Sequence, residues 1–182
     1  MATQNAINLL AGANITLTPS SSGLTIAAAG GASTAAPLFN AYVSAPQAGV
    51  TGDGTAYTVL FDTALSNVGA TYVAATGIFT APVAGQYIFS GSVLATNNNL
   101  GGTITGVVSL VTTGVTYIAN NGASGVGMGV GSPINEFSWP FSIITTMAMG
   151  DTAHVSIAIS GGGAGSCDVN SLGSYWGAYQ IG

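Results

Sequence analysis

Proton transfer, metal binding and nucleophilic attack have few side chains to draw on in this sequence. The acids are Asp53, Asp62, Glu136, Asp151 and Asp168, the one histidine is His154 and the one cysteine is Cys167. General acid–base work needs titrating groups gathered in a cleft. His154 as a base would also need a nucleophile and an orienting acid, and no Gly-x-Ser-x-Gly elbow supplies the first. Asp53, in Gly52-Asp53-Gly54, could open a calcium loop, but the further oxygen ligands at fixed spacing are missing, so it reads as a turn. The glycine run 161–165 lacks the Lys-Ser/Thr pair of a phosphate loop, and a glycan hydrolase would have to find its paired carboxylates among five acids in all. Cys167 can form neither an intrachain disulfide nor a thiolate cluster and reads as a small packing residue. The sequence therefore predicts no catalysis and no cofactor.

The remaining candidates are apolar. Trp139, Phe141, Trp176 and Tyr179 could build a sugar-stacking platform, though core or interface packing accounts for them better. Met128, Met147 and Met149 likewise read as packing residues. There is no Lys or Arg, and the formal net charge is −5. Nucleic acid and anionic membranes, both held mainly by cations, are thus poor partners. No stretch reaches the roughly 18 apolar residues of a spanning helix, so membrane insertion is not expected. Residues 1–5 lack the positive region of a secretory signal, and release by cell lysis is the expected route out. Solubility must rest on Thr, Ser, Asn and backbone, which favours an oligomer that buries its flat apolar faces.

The elements that must position these residues read as strands. In the run Tyr87, Phe89, Gly91, Val93, Ala95 one parity is apolar or small, while Gln86, Ser90, Ser92 and Thr96 are polar; Ile88 and Leu94 break the rule. Such a strand is buried on one face and partly covered on the other. Ala153, Val155, Ile157 and Ile159 alternate with Thr152, His154, Ser156 and Ser160, which puts His154 on the polar parity. Further strands are expected near 39–44, 57–61, 103–112, 116–119, 136–146 and 175–181. The 28 glycines, with Asn97-Asn98-Asn99, punctuate them. Eight to ten strands at this spacing suggest a jelly roll or related sandwich.

The first 36 residues differ in character. Ile15 and Leu17 alternate with Asn14 and Thr16, the segment 18–23 turns the chain, and Leu24 and Ile26 follow. This predicts a hairpin, marginal by itself in water, that serves as an anchor; residues 27–36 form a small-residue linker. The expected division is 1–36 for anchor and linker and 37–182 for the main domain.

From Phe61 onward the spacing resembles the signature of the complement C1q domain family, part of the C1q/TNF-like group. Its Phe, Asn, aromatic, Phe and Gly-x-Tyr-x-Phe-x-aromatic pattern falls on Phe61, Asn67, Tyr72, Phe79, Gly85, Tyr87 and Phe89, with Gly91 departing from the final aromatic. Gly150-Asp151-Thr152-Ala153-His154-Val155 resembles the family's Gly-Asp turn and strand, and Ser174-Tyr175-Trp176-Gly177 its terminal strand. The resemblance implies an all-β jelly-roll sandwich of ten strands, a compact homotrimer, and binding in place of catalysis. It leaves room at Gly91 for Trp139 or Trp176, and admits calcium held by Asp151 and Asp168 at a trimer axis.

The segments 13–18 and 23–26 resemble stretches of tailed-phage fibre proteins. The expectation is thus a homotrimer on a virion surface, decorating a capsid or tipping a fibre, joined to the larger assembly through residues 1–36. Its loops would face host surface glycan or protein. The alternative is a bacterial surface or spore-coat adhesin, although no collagen-like Gly-X-Y stalk is present.

Overall fold

The computed structural model describes residues 15–21, 23–28, 36–69, 71–97, 104–124 and 136–181, all strand, turn or loop with no helix among them. Two units, Met1–Thr34 and Ala35–Gly182, are each compact. In the first, β1 (Ile15–Ser20) pairs antiparallel with β2 (Gly23–Ala28), and Leu17 stands opposite Ile26, Pro19 opposite Leu24 and Ile15 opposite Ala28. The side chains of Ile15, Leu17, Leu24 and Ile26, the linker positions 29–35 and Met128 lie outside the described residues.

The second unit is a two-sheet jelly roll. Its strands are β3 (Leu38–Tyr42), β4 (Gln47–Thr51), β5 (Ala56–Thr58), β6 (Thr63–Val68), β7 (Thr71–Val73), β8 (Ile78–Thr80), β9 (Gly85–Asn97) and β10 (Ile104–Thr112). They continue with β11 (Thr116–Ser124), β12 (Glu136–Met147), β13 (Thr152–Ser160), β14 (Cys167–Val169) and β15 (Tyr175–Ile181). One sheet runs β11-β10-β13-β8-β7, with β5 also on β13; the other runs β4-β14-β9-β15-β3-β6, with β12 along β9. The long strands stand where alternation marked them. The short segments β4, β6, β7, β8 and β14 carry no such mark, because three to six residues are too few to establish a period.

Between the sheets lies an aromatic core. Tyr87, Phe89, Val93 and Ala95 of β9 face Val155, Ile157 and Ile159 of β13, all fully buried. Phe39 stacks on Tyr72 at 4.7 Å, Phe79 meets Tyr87 and Phe89 edge-on at 5.5 and 5.6 Å, and Trp176 lies 5.9 Å from Phe89 and 5.6 Å from Phe61. Trp176 pairs directly with Gly91, and a Cβ at Gly91 would sit 2.7 Å from that of Trp176. The slot that Gly91 leaves is therefore taken by Trp176. Trp139 lies elsewhere, over the paired glycines Gly106 and Gly122.

Polar groups in this core are largely satisfied. Tyr72 Oη donates to the Phe61 carbonyl at 2.7 Å, and burial pushes its pKa up to about 12. The indole N–H of Trp176 is buried without a well-formed hydrogen bond, yet it lies near enough to the Tyr72 oxygen to oppose part of that rise. A contact that falls short of hydrogen-bond geometry gives little stabilisation.

Side chains close the seams. Tyr117 Oη lies 2.9 Å from Thr145 Oγ1, and Asn120 Nδ2 donates to the Pro140 carbonyl, joining β11 of one sheet to β12 of the other. Pro140 is tolerated because β12 is an edge strand. The glycine run has a structural use as well: Gly162 and Gly163 amides both donate to the Gly52 carbonyl at 3.0 Å, and a Cβ at Gly52 (φ +138°) would overlap Gly163 and Ser166. Cys167 is fully buried and its thiol pKa is raised by burial.

Two predictions follow from this packing. Phe89→Ala removes a ring at the centre of the cluster and should lower stability by about 3–5 kcal/mol in denaturant unfolding; an unchanged midpoint would refute the inward register of β9. His154 is partly buried on the outward parity of β13, and burial lowers its pKa below the ordinary 6.5. Since the unfolded chain then binds the proton more readily, stability is full above pH 6.5 and falls as the pH drops from there through the folded value. His154→Gln should flatten the melting-temperature profile over that window, and an unaltered profile would exclude His154 as its source.

Candidate functional site

Most residues singled out by the sequence are built into the scaffold. Phe61, Tyr72, Phe79, Tyr87 and Phe89 all enter the aromatic core. Asn67 clasps Tyr72 from outside, its Nδ2 donating to the Tyr72 carbonyl at 3.1 Å and its Oδ1 accepting from the Tyr72 amide at 3.4 Å. Gly85 makes room for Gln180, Gly150 turns the chain at φ +91°, and Asp151 Oδ2 accepts from the Ala148 amide at 2.8 Å within the same turn. A Cβ at Gly177 would press on Phe39 and Asn40.

The sugar platform and the calcium pair do not assemble. Trp139, Phe141 and Trp176 are buried at 5%, 7% and 0% exposure, which leaves Tyr179 as the exposed ring of that set. Asp151 sits in the turn beside Ala81, near the start of β9, whereas Asp168 faces Thr96 near its end and accepts from the Gly49 amide at 2.6 Å. Strand geometry puts them on the order of 30 Å apart, too far to share a cation. Among the described residues no three His, Cys, Asp or Glu side chains gather as metal ligands. Asp53 accepts from the Thr55 amide at 2.9 Å, a local turn that lowers its pKa. Met147 is buried and Met149 exposed.

A different surface does assemble, on the outward face of the sheet that holds β12, β9, β15, β3 and β6. The register lines up Ile144, Ile88, Tyr179, Leu38 and Val68 in one row across five strands. Ile144 is 57% exposed, Tyr179 49%, Val68 44% and Leu38 37%. Two residues along each strand the row is small and polar: Ser142, Ser90, Gly177, Asn40 and Ser66. Tyr175, 52% exposed, stands on the far side of that row. The outcome is a shallow groove with a serine and glycine floor between Tyr175 on one side and Tyr179 and Leu38 on the other. None of the five acids lines it. Beside it the register of β6 skips Leu65, since Asn40 faces Ser66 and Ala41 faces Ala64, and this bulge leaves Leu65 69% exposed. Sequence reading missed this surface. Ile88, off-parity in an otherwise alternating strand, was its one legible trace.

The C1q domain family model matches residues 41–126. No curated protein sequence matches the chain. Among solved structures, murine APRIL at pH 5.0 is similar with a TM-score of 0.52 at 14% identity, over 80% of this chain and 99% of APRIL; at pH 8.5 the TM-score is 0.51, over 80% and 98%. Eiger TNF from S. frugiperda is similar with a TM-score of 0.50 at 14% identity, over 81% and 92%. Identities this low speak for the fold alone. Over residues 41–126 the chain is thus similar to C1q domains, and its body shares the jelly-roll fold of these solved structures.

Proposed function

We propose that three copies of this chain associate through the outward face just described, and that the trimer is a non-enzymatic structural or adhesive component of a virion surface. The observation that carries the trimer is the uncharged apolar row from Ile144 to Val68 with its adjoining groove. Such a contiguous face is poorly tolerated on a monomer in water, and this chain has no cation and only five anions with which to keep a monomer apart from its neighbours. A concave groove and the projecting Leu65 on one protomer also suit a head-to-tail contact, which closes into a ring when the rotation permits.

The virion setting is supported by the resemblance of segments 13–18 and 23–26 to phage fibre proteins. The anchor role of residues 1–36 is supported by a two-stranded hairpin that carries no charge. A hairpin of that size gains stability by pairing with a neighbouring sheet edge or with its own copies. The described residues offer no cluster suited to acid–base work, and binding through exposed loops is the activity left to the body.

Sedimentation should give three chains per particle. Tyr179→Asp or Ile88→Asp would bury an unpaired charge at the contact, costing several kcal/mol, and should yield monomers with the native melting behaviour of a single jelly roll. Trimers that persist in both variants would place the contact elsewhere. A chain beginning at Pro37 should stay a folded trimer but fail to attach to the parent particle; undiminished attachment would remove the anchor role.

A further inference from the structure

The two ends of the sandwich differ in kind. At one end, three turns are tied together. The Ala81 amide donates to the Asp151 carbonyl and the Gly150 amide to the Ala81 carbonyl, both at 2.8 Å, while the Thr113 amide donates to the Thr152 carbonyl at 3.0 Å. These turns display Val83, Val115 and Met149, exposed by 42%, 51% and 73%. The chain enters the body at this same end, where the Gln180 amide donates to the Pro37 carbonyl at 3.0 Å and Gln180 Nε2 reaches the Ala84 carbonyl. Asp151 is the one acid here. The other four are at the opposite end: Asp53 beside Ile159, Asp62 bound by Ser44, and Glu136 and Asp168 both facing Thr96.

We infer that the end bearing Val83, Val115 and Met149 is a second contact surface, which seats on an apolar, uncharged protein surface of the assembly that holds the hairpin. This rests on the anchor reading of residues 1–36. Eight residues separate Ala28 from Pro37, a reach of at most about 32 Å over nine steps. Once the hairpin is held, this end cannot move far from the supporting protein, and its effective concentration there is on the order of millimolar. A patch of three side chains per copy, too weak to bind alone, then suffices. The acidic end, facing away, stays solvated.

The test uses the full chain and the parent particle. Peroxide oxidation of Met149, followed by peptide mass spectrometry, should run at least about tenfold slower on the intact particle than on the released trimer. The exposed double variant Met149→Asp/Val115→Asp should fold normally yet leave the particle about tenfold faster, while Leu172→Asp at the acidic end, where Leu172 is 88% exposed, should be retained like the native chain. Equal oxidation in both states, with native retention of the double variant, would overturn the inference. A Pro37-start chain that detaches while the double variant holds keeps the anchor and refutes this surface. The reverse result, a retained Pro37-start chain beside a detaching double variant, would refute the anchor and with it the weak, tethered contact inferred here. Retention of the released trimer on phosphatidylcholine vesicles would reassign the patch to a bilayer and overturn protein docking.

Discussion

Trp176 can reach the middle of the core only because its cross-strand partner is Gly91. Any side chain at that position would collide with the Trp176 Cβ and push β15 away from β9. The indole in that slot touches Phe39, Phe61, Tyr72 and Phe89, so it joins β3, β7, β9 and β15 to the segment leading into β6. Much of the aromatic cluster therefore depends on one missing Cβ.

The same constraint sets the outer surface. Successive residues of a strand point to opposite faces, and a register slip of one residue exchanges them. With Phe89, Gly91 and Trp176 directed inward, Ile88, Ser90, Gly177 and Tyr179 must point outward. Inner packing thus determines where the apolar row and the serine and glycine floor fall. Gly177 contributes to both: a Cβ there would strike the Phe39 carbonyl, and its bareness deepens the groove.

Local alternation made the long strands β9, β13 and β15 legible, along with the inward direction of Tyr87 and Phe89, because a strand buried on one face must repeat every second residue. The family spacing made the jelly roll legible. Contacts between residues distant in sequence were not readable in this way. Nothing local to Gly106 and Gly122 announces Trp139 from the opposite sheet, and nothing local to the glycine run 161–165 announces the Gly52 carbonyl. The resemblance admitted Asp151 and Asp168 at one axis, and only the course of β9 between them shows that they occupy opposite ends. The outward row needed four strand registers at once, and the last of them, the pairing of β3 with β6, also carries the bulge at Leu65.

The central claim is that one face of the β12-β9-β15-β3-β6 sheet is where copies of this chain meet. A density map of the oligomer that resolves side chains tests it most directly. The account predicts three copies around one axis, with Ile144, Ile88, Tyr179, Leu38 and the Gly177 groove covered by a neighbouring chain. A map in which that face is open to solvent, and the copies touch through the outward side of the β11-β10-β13 sheet, would contradict it.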